Sequence, residues 1–273
     1  MSFALHHAFV GNEHASQVAF VLHGVFGAGS NFRSLIKTLA AQRQDWRFVL
    51  VDLRLHGRSL GAPPPHSLAA CAEDLLDLSR TLAVEPAAII GHSFGGKVAL
   101  TYAERKPRAL AQVWVLDASP GAHTPGPDHE VIRVLGSLQA VGQVFETRET
   151  FVDALLERGL SPGIAHWLSQ NLVREGERYQ FRLDLEAIGQ LLDDYFRRDL
   201  WPVVEHPPAG IDLHLVVAER SRRLNEEARA RLAARADQTR VHRYTLPDAG
   251  HWLHVDNPTG LIELLRGGLS HPG

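Results

Sequence analysis

The sequence predicts an α/β fold, in which a mostly parallel sheet is flanked by helices and interrupted by an inserted helical cap. Short apolar runs rich in β-branched residues alternate with segments whose apolar residues recur at helical spacing. This alternation stops after residue 120 and resumes after residue 206. The chain has 273 residues, of which 45 % are hydrophobic, and this is enough for one large core that carries one insertion.

The predicted strands are six runs rich in strand-forming residues, at residues 18–22, 48–53, 87–90, 112–116, 213–218 and 241–246. Four predicted helices lie between them, at residues 32–42, 67–82, 96–106 and 225–236. Strands that alternate with helices pair in parallel, and the helices then cover both faces of the sheet. Residues 1–120 and 207–273 therefore form the predicted core.

The predicted cap is residues 121–206. It opens with a loop rich in glycine and proline at residues 122–128, and a proline- and glycine-containing stretch at 205–210 ends it. Between these loops the pattern favours helices, and no strand is predicted there. Such an insertion is expected to lie over the ends of the strands as a lid.

A serine lies where one predicted strand turns into a helix. Residues 91–95 read Gly-His-Ser-Phe-Gly, directly after the strand at 87–90. A serine hydroxyl is a poor nucleophile, and a G-x-S-x-G turn exposes it beside a helix N-terminus where a base and amide donors can reach it. We expect Ser93 to be the nucleophile of a hydrolase.

A serine nucleophile needs a histidine base, and His251 is the best candidate. It follows the last predicted strand, which suits the chain order serine, acid, histidine. His254 is the weaker rival, and the alternative reading is that His251 is an ordinary packed histidine. In catalysis His251 would accept the proton of Ser93 and return it to the leaving group.

Two acids lie at strand ends and could orient the histidine. Asp117 directly follows the strand after the nucleophile, and Glu219 ends the strand at 213–218. Many such enzymes carry the acid in a G-x-x-D turn. When this turn is counted from Ala218, its acid position holds Ser221, which is not an acid. We favour Asp117, because carboxyl ends of parallel strands face the ligand crevice, although it could instead cap a turn.

The oxyanion formed on attack needs backbone donors. One is expected to be the N–H of Phe94, the residue after the nucleophile. The second is assigned to Val25, with Phe26 as the alternative, in the glycine-rich loop after the first long strand. A phosphate-binding loop is the competing interpretation, but neither of its two common glycine patterns is present there.

Other polar residues are expected to be structural. Residues 52–59 form a hydrogen-bonded loop in this interpretation, and Lys97 is expected to pair with a surface acid rather than with substrate. The single cysteine, Cys71, is expected in the core, and no intrachain disulfide can form. The scattered histidines lack metal-ligand spacing, so no metal or cofactor is predicted.

Composition and charge limit the expected partners. The net charge is −3, so the chain has no excess of positive charge that would favour binding to nucleic acid. The N-terminus lacks the basic and apolar regions of a signal peptide, and no apolar run of about 18 residues occurs, so we expect a cytoplasmic protein without stable membrane anchoring. The oligomeric state is left open.

Several sequence motifs of the chain resemble those of the α/β-hydrolase superfamily, in particular of the small bacterial acyl esterases and thioesterases related to mitochondrial abhydrolase-domain proteins. Residues 23–27 are similar to the family's H-G-[LF]-F-G, 52–59 to its D-x-R-N-H-G-x-S and 91–97 to its G-H-S-M-G-G-K. The likeness continues in the cap at 171–174 and 181–185, and then in the Gly-His-Trp-Leu-His block at 250–254.

The resemblance implies an α/β-hydrolase fold and supports Asp117, since this branch carries its acid after the strand that follows the nucleophile. The sequence departs from the family at Ala218, Glu219 and Arg220, where the family has G-G-N, so Glu219 stays open.

We expect a serine hydrolase acting on a small acyl ester. Short acyl chains are favoured, because the cap carries many charged residues between 146 and 198. The alternatives are a C–C bond hydrolase or lyase, a cofactor-free haloperoxidase, or a non-catalytic receptor for a small ligand.

Overall fold

The structure is a computed structural model that describes residues 3–236 and 240–270. Its strands in these ranges are β1 (His7–Gly11), β2 (Gln17–Leu22), β3 (Trp46–Val51), β4 (Ala88–His92), β5 (Gln112–Leu116), β6 (Val144–Phe145), β7 (Leu172–Glu175), β8 (Arg178–Phe181), β9 (Asp212–Ala218) and β10 (Val241–Leu246). Its helices there are α1 (Arg33–Gln42), α2 (Leu68–Leu82), α3 (Phe94–Ala103), α4 (Glu130–Val141), α5 (Arg148–Glu157), α6 (Pro162–Leu168), α7 (Leu185–Arg197), α8 (Trp201–Glu205), α9 (Glu226–Arg235), α10 (Leu253–Asp256) and α11 (Pro258–Gly268).

The central sheet has the strand order β1-β3-β2-β4-β5-β9-β10. Strand β1 is antiparallel to β3, and the other neighbours are parallel. The six predicted strands are confirmed within two residues at their ends, and so is the predicted fold class. The edge strand β1 was not predicted, because only Val10 of its five residues is buried and the apolar signal is weak.

Helices cover both faces of this sheet. Helices α1 and α11 pack together on one face, and α2 packs against α3 on the other. Ser67 caps the N-terminus of α2, because its hydroxyl oxygen accepts a hydrogen bond from the Ala70 N–H at 3.2 Å. Cys71 of α2 is buried in the core, as predicted.

The segment between β5 and β9 departs from the prediction. Residues 121–206, here called the inserted segment, contain α4 to α8 but also an antiparallel sheet of order β6-β8-β7. The expectation that no strand occurs there was wrong. These strands have two to four residues each, and in β7 and β8 only Leu172 and Phe181 are buried, so they carry no detectable period-two pattern.

Candidate active site

Ser93 occupies a strained turn between β4 and α3. Its backbone has φ 53° and ψ −114°, a conformation that costs free energy for any residue with a side chain. Gly91 and Gly95, on either side of this turn, allow neighbouring backbone segments to approach it closely. A Cβ atom on Gly95 would lie 2.7 Å from the carbonyl oxygen of His23, and one on Gly91 would collide with the Gly95 backbone. The turn therefore holds Ser93 at the carboxyl edge of the sheet, partly exposed.

The structure brings Ser93, His251 and Asp117 together. The Ser93 hydroxyl lies 3.0 Å from Nε2 of His251, and Nδ1 of His251 lies 2.8 Å from Oδ2 of Asp117. Both distances are in the hydrogen-bonding range. The three residues follow β4, β10 and β5, strands whose carboxyl ends meet at one edge of the parallel sheet. This arrangement can move a proton from the serine hydroxyl to the imidazole ring.

The Asp117 carboxylate is fixed by two further donors. The N–H of Ala218 donates to Oδ1 at 3.1 Å, and the Ser221 hydroxyl donates to Oδ2. Ser221 is the residue that stands where the later turn would carry an acid, and it supports Asp117 instead. Glu219 is exposed, and its Oε2 atom accepts a hydrogen bond from the N–H of Asp248 at 3.0 Å.

Two further histidines flank His251. His92 is buried, and its Nε2–H donates to the backbone carbonyl of His251 at 2.7 Å. Burial and the charge that His251 can carry hold the pKa of His92 well below its usual range, so the ring stays neutral. His254, the rival base, packs its ring 4.4 Å from that of Phe32, and burial lowers its pKa to about 4. His92, the residue before Ser93, thus holds the backbone of His251 in place.

The expected oxyanion donors lie beside the nucleophile. Phe94 is the first residue of α3, so its N–H has no acceptor within the helix. Val25, in the loop after β2, lines both cavities that open at Ser93, and Phe94 lines the larger one. Phe26, the alternative donor, has φ 62°, and its carbonyl oxygen accepts a hydrogen bond from Nδ2 of Asn171 at 2.9 Å. The inserted segment therefore directly contacts the glycine-rich loop after β2, which is here called the oxyanion loop for its expected role.

The loop at residues 52–59 has structural contacts. The Asp52 carboxylate accepts hydrogen bonds from the N–H groups of Gly29 at 2.8 Å and Arg58 at 2.9 Å. Arg54 forms a buried ion pair with Asp74 of α2, with Nε to Oδ2 at 2.6 Å. These contacts tie the loop to its neighbours, in line with the structural interpretation.

The expectation for Lys97 was wrong. Lys97 is completely buried, and its Nζ donates to the carbonyl oxygens of Gly121, Tyr195 and Arg198 at 2.7 to 2.8 Å. Helix α3 is buried on every side, so a lysine on it cannot reach a surface acid. Burial lowers its pKa to about 8. The ammonium group joins α3 to both ends of the inserted segment.

Two cavities of different size open at Ser93. The larger, here called the chamber, has a volume of about 790 Å³, and the smaller, here called the slot, has about 40 Å³. The wall of the chamber is mixed, with apolar residues such as Val25, Leu192 and Trp201 beside the polar residues Ser119, His123, His129, Tyr195, Arg222 and Arg223. The slot is mostly apolar, and its walls include Val25, Phe32, Val134, Ile164, Trp167 and Trp252.

An ion pair lies where the chamber and the slot meet. Arg223, after β9, pairs with Glu130 of α4, and both residues line both cavities. Neither this pair nor Trp167 was predicted from the sequence. No local pattern could have found the pair, because its two residues are 93 positions apart.

The histidines around Ser93 form ring contacts with one another. The ring centroids of His92 and His251 lie 4.8 Å apart. Within residues 3–236 and 240–270, no three or more His, Cys, Asp or Glu side chains are grouped so that they could hold a metal ion. In the same ranges, no helix combines the length and apolar character that a membrane span requires.

Comparison with known proteins identifies the family. The model of a family described as "Alpha/beta hydrolase family" matches residues 19–264, which is most of the chain. The chain belongs to the alpha/beta hydrolase family. The resemblance noted in the sequence is thereby confirmed.

This alpha/beta hydrolase has relatives named for lipid and ester hydrolysis. The mouse (Mus musculus) protein "sn-1-specific diacylglycerol lipase ABHD11" is 32 % identical over 247 residues, covering 89 % of this chain and 77 % of the mouse protein. "Esterase YbfF" of Escherichia coli (strain K12) is 26 % identical over 262 residues, covering 93 % of this chain and 94 % of that protein. These relatives support a hydrolase.

Solved structures of other hydrolases share the fold. A "Marine microorganism esterase" superposes with a TM-score of 0.85 at 23 % identity, covering 98 % of this chain and 100 % of that one. The likeness therefore extends over the whole alpha/beta hydrolase fold, including the inserted segment.

Proposed function

We propose that this alpha/beta hydrolase is a serine carboxylesterase that cleaves short-chain esters, and thioesters as related substrates, through an acyl-enzyme on Ser93. The observation that carries the proposal is the hydrogen-bonded series from Ser93 through His251 to Asp117 at a strained turn. The names of the relatives, a lipase and an esterase, support the same reaction class.

Acylation begins when Oγ of Ser93 attacks the ester carbonyl carbon. Nε2 of His251 accepts the hydroxyl proton, and the Asp117 carboxylate stabilises the imidazolium that forms. The carbonyl oxygen becomes an oxyanion, which accepts hydrogen bonds from the N–H groups of Val25 and Phe94. The carbon–oxygen bond to the alcohol then breaks, and His251 gives its proton to the departing alkoxide.

Deacylation repeats these steps with water. His251 takes a proton from a water molecule, whose oxygen attacks the acyl carbon bound to Ser93. The same donors hold the second oxyanion, and the bond to Oγ breaks. The proton on His251 returns to Oγ, which releases a carboxylic acid and restores Ser93.

The two cavities suit the two parts of an ester. A volume of about 40 Å³ accommodates roughly three water-sized groups, so the slot fits acyl chains from acetyl to about butyryl. The chamber of about 790 Å³ has space for a larger leaving group. The proposal therefore assigns the acyl chain to the slot and the alcohol to the chamber.

The inserted segment, residues 121–206, is proposed to be the cap of this site, and residues 1–120 and 207–273 the core. Helix α7 contributes Tyr195 to the chamber wall, and α6 contributes Trp167 to the slot wall. Substrate enclosed between cap and core is shielded from bulk water.

Hydrolysis of p-nitrophenyl acetate and butyrate tests the proposal. Ser93→Ala removes the nucleophile, and we expect kcat to fall by at least about 10⁴-fold. Ser34→Ala is the control, because Ser34 is exposed on α1 and should leave kcat unchanged. Full activity of Ser93→Ala would refute the proposal.

The same preparations separate the alternative functions. A C–C bond hydrolase, lyase or haloperoxidase would show little turnover on an ester panel but turn over its own substrate class. A receptor would show negligible turnover of every ester together with ligand-dependent thermal stabilisation.

A further inference from the structure

A third cavity lies directly behind the slot. It has a volume of about 360 Å³, lies between the core and the inserted segment, and is here called the side cleft. Its wall includes the apolar side chains of Leu50, Val173 and Leu183 together with the charged residues Asp52, Arg58 and Arg182. Four residues line both the slot and the side cleft, so they form the wall between them: Phe26, Gly27, Asn31 and Trp167.

Only one of these four residues can be truncated without disturbing the oxyanion loop. Phe26 and Gly27 belong to that loop, and Phe26 is 2 % exposed. The Asn31 side chain holds the loop, because its Oδ1 accepts a hydrogen bond from the Ala28 N–H at 2.8 Å. Trp167 comes instead from α6 of the inserted segment, and it is only partly buried.

Trp167 is held in place by a second aromatic ring. Its ring meets that of Trp252 edge to face, with centroids 4.5 Å apart and an interplanar angle of 72°. Such a pair is favourable beyond simple burial and limits the rotation of both rings. The contact with Trp252 therefore favours the observed position of the Trp167 indole in the wall.

We propose that Trp167 is the specificity-determining residue that ends the acyl slot and restricts the enzyme to short acyl chains. This inference rests on the proposed function and deepens it. With a small residue at position 167, the slot opens into the side cleft. An acyl chain of six to eight carbons would then extend past position 167 into the side cleft, whose wall includes Leu183.

The acyl-chain profiles of Trp167→Ala and wild type test this proposal. The measurement is kcat/KM for p-nitrophenyl acetate, butyrate, hexanoate and octanoate. A methylene that gains an apolar pocket is worth about tenfold or more in kcat/KM, so the hexanoate-to-acetate ratio should rise by at least about tenfold. Leu156→Ala is the matched control, because Leu156 is a partly exposed side chain of the same segment, and its ratio should not change.

The variant Trp167→Leu tests the same wall if Trp167→Ala does not fold, and a smaller rise in the ratio is expected for it. The proposal would be overturned by a folded variant that hydrolyses the acetate ester and keeps the wild-type hexanoate-to-acetate ratio of kcat/KM. If wild type hydrolyses none of the esters, the proposed function fails, and thermal shift with free octanoate then tests the wall alone. Octanoate should raise the Tm of the position-167 variant more than that of wild type, and equal shifts would refute the inference.

Discussion

At the level of single residues, Asp117 and Glu219 are the two candidates for the carboxylate that orients His251. Asp117 is buried and hydrogen-bonded to His251, whereas Glu219 is exposed and accepts a hydrogen bond from the Asp248 backbone N–H. We expect Asp117→Asn to lower kcat by about 10⁴-fold, because the orienting carboxylate is lost, and Glu219→Gln to keep kcat near the wild-type value. Steady-state kinetics with p-nitrophenyl acetate measure both, and a larger loss in Glu219→Gln would reverse the assignment.

The sequence could single out residues whose chemistry is tied to a strand end. Ser93, His251 and Asp117 each follow a predicted strand, and the structure places their side chains in contact, while their catalytic roles stay predictions. Contacts between distant segments could not be predicted. Ser221 meets Asp117 across 104 positions, and Trp167 reaches the slot only because the inserted segment folds back onto the core.

At the level of elements, α3 has a second role besides carrying the turn at Ser93. Lys97 on this helix donates to carbonyls at both ends of the inserted segment, so it fastens that segment to the core. Lys97→Met leaves these acceptors unpaired, and we expect unfolding in urea at pH 7 to show a loss on the order of 3 kcal/mol. Lys37→Met, on the exposed side of α1, is the control. Equal stability of the two variants would contradict this role.

The elements were predictable to different degrees. The strand β5 was found at its observed boundaries, because all five of its residues are buried and a buried parallel strand favours continuous apolar sequence. The edge strand β1 and the short strands β6 to β8 were not found, because few of their side chains are buried. Lys97 was misplaced because the sequence does not show that all faces of α3 are covered.

At the level of the whole molecule, Lys97 makes the free energy of unfolding vary with pH in the alkaline range. Its folded-state pKa is about 8, below the ordinary value of 10.5, so between these values the unfolded chain binds a proton that the folded chain has lost. The free energy of unfolding of wild type, relative to Lys97→Met, should therefore rise with pH from about 8 to 10. The slope is at most about 1.4 kcal/mol per pH unit.

Urea titrations of both proteins at closely spaced pH values measure this difference. Other groups that titrate in this range affect both proteins alike and cancel in the comparison. A difference that stays constant, or falls, over this window would contradict the assigned pKa shift.

The arrangement of the site across the sheet also has a consequence for biosynthesis. Ser93 and His251 are 158 positions apart, and the base follows β10, the last strand of the sheet along the sequence. Synthesis proceeds from the N-terminus, so the nucleophile, the acid and the whole inserted segment leave the ribosome before the base does. Under the proposed mechanism, a nascent chain therefore cannot hydrolyse an ester until β10 has joined the sheet.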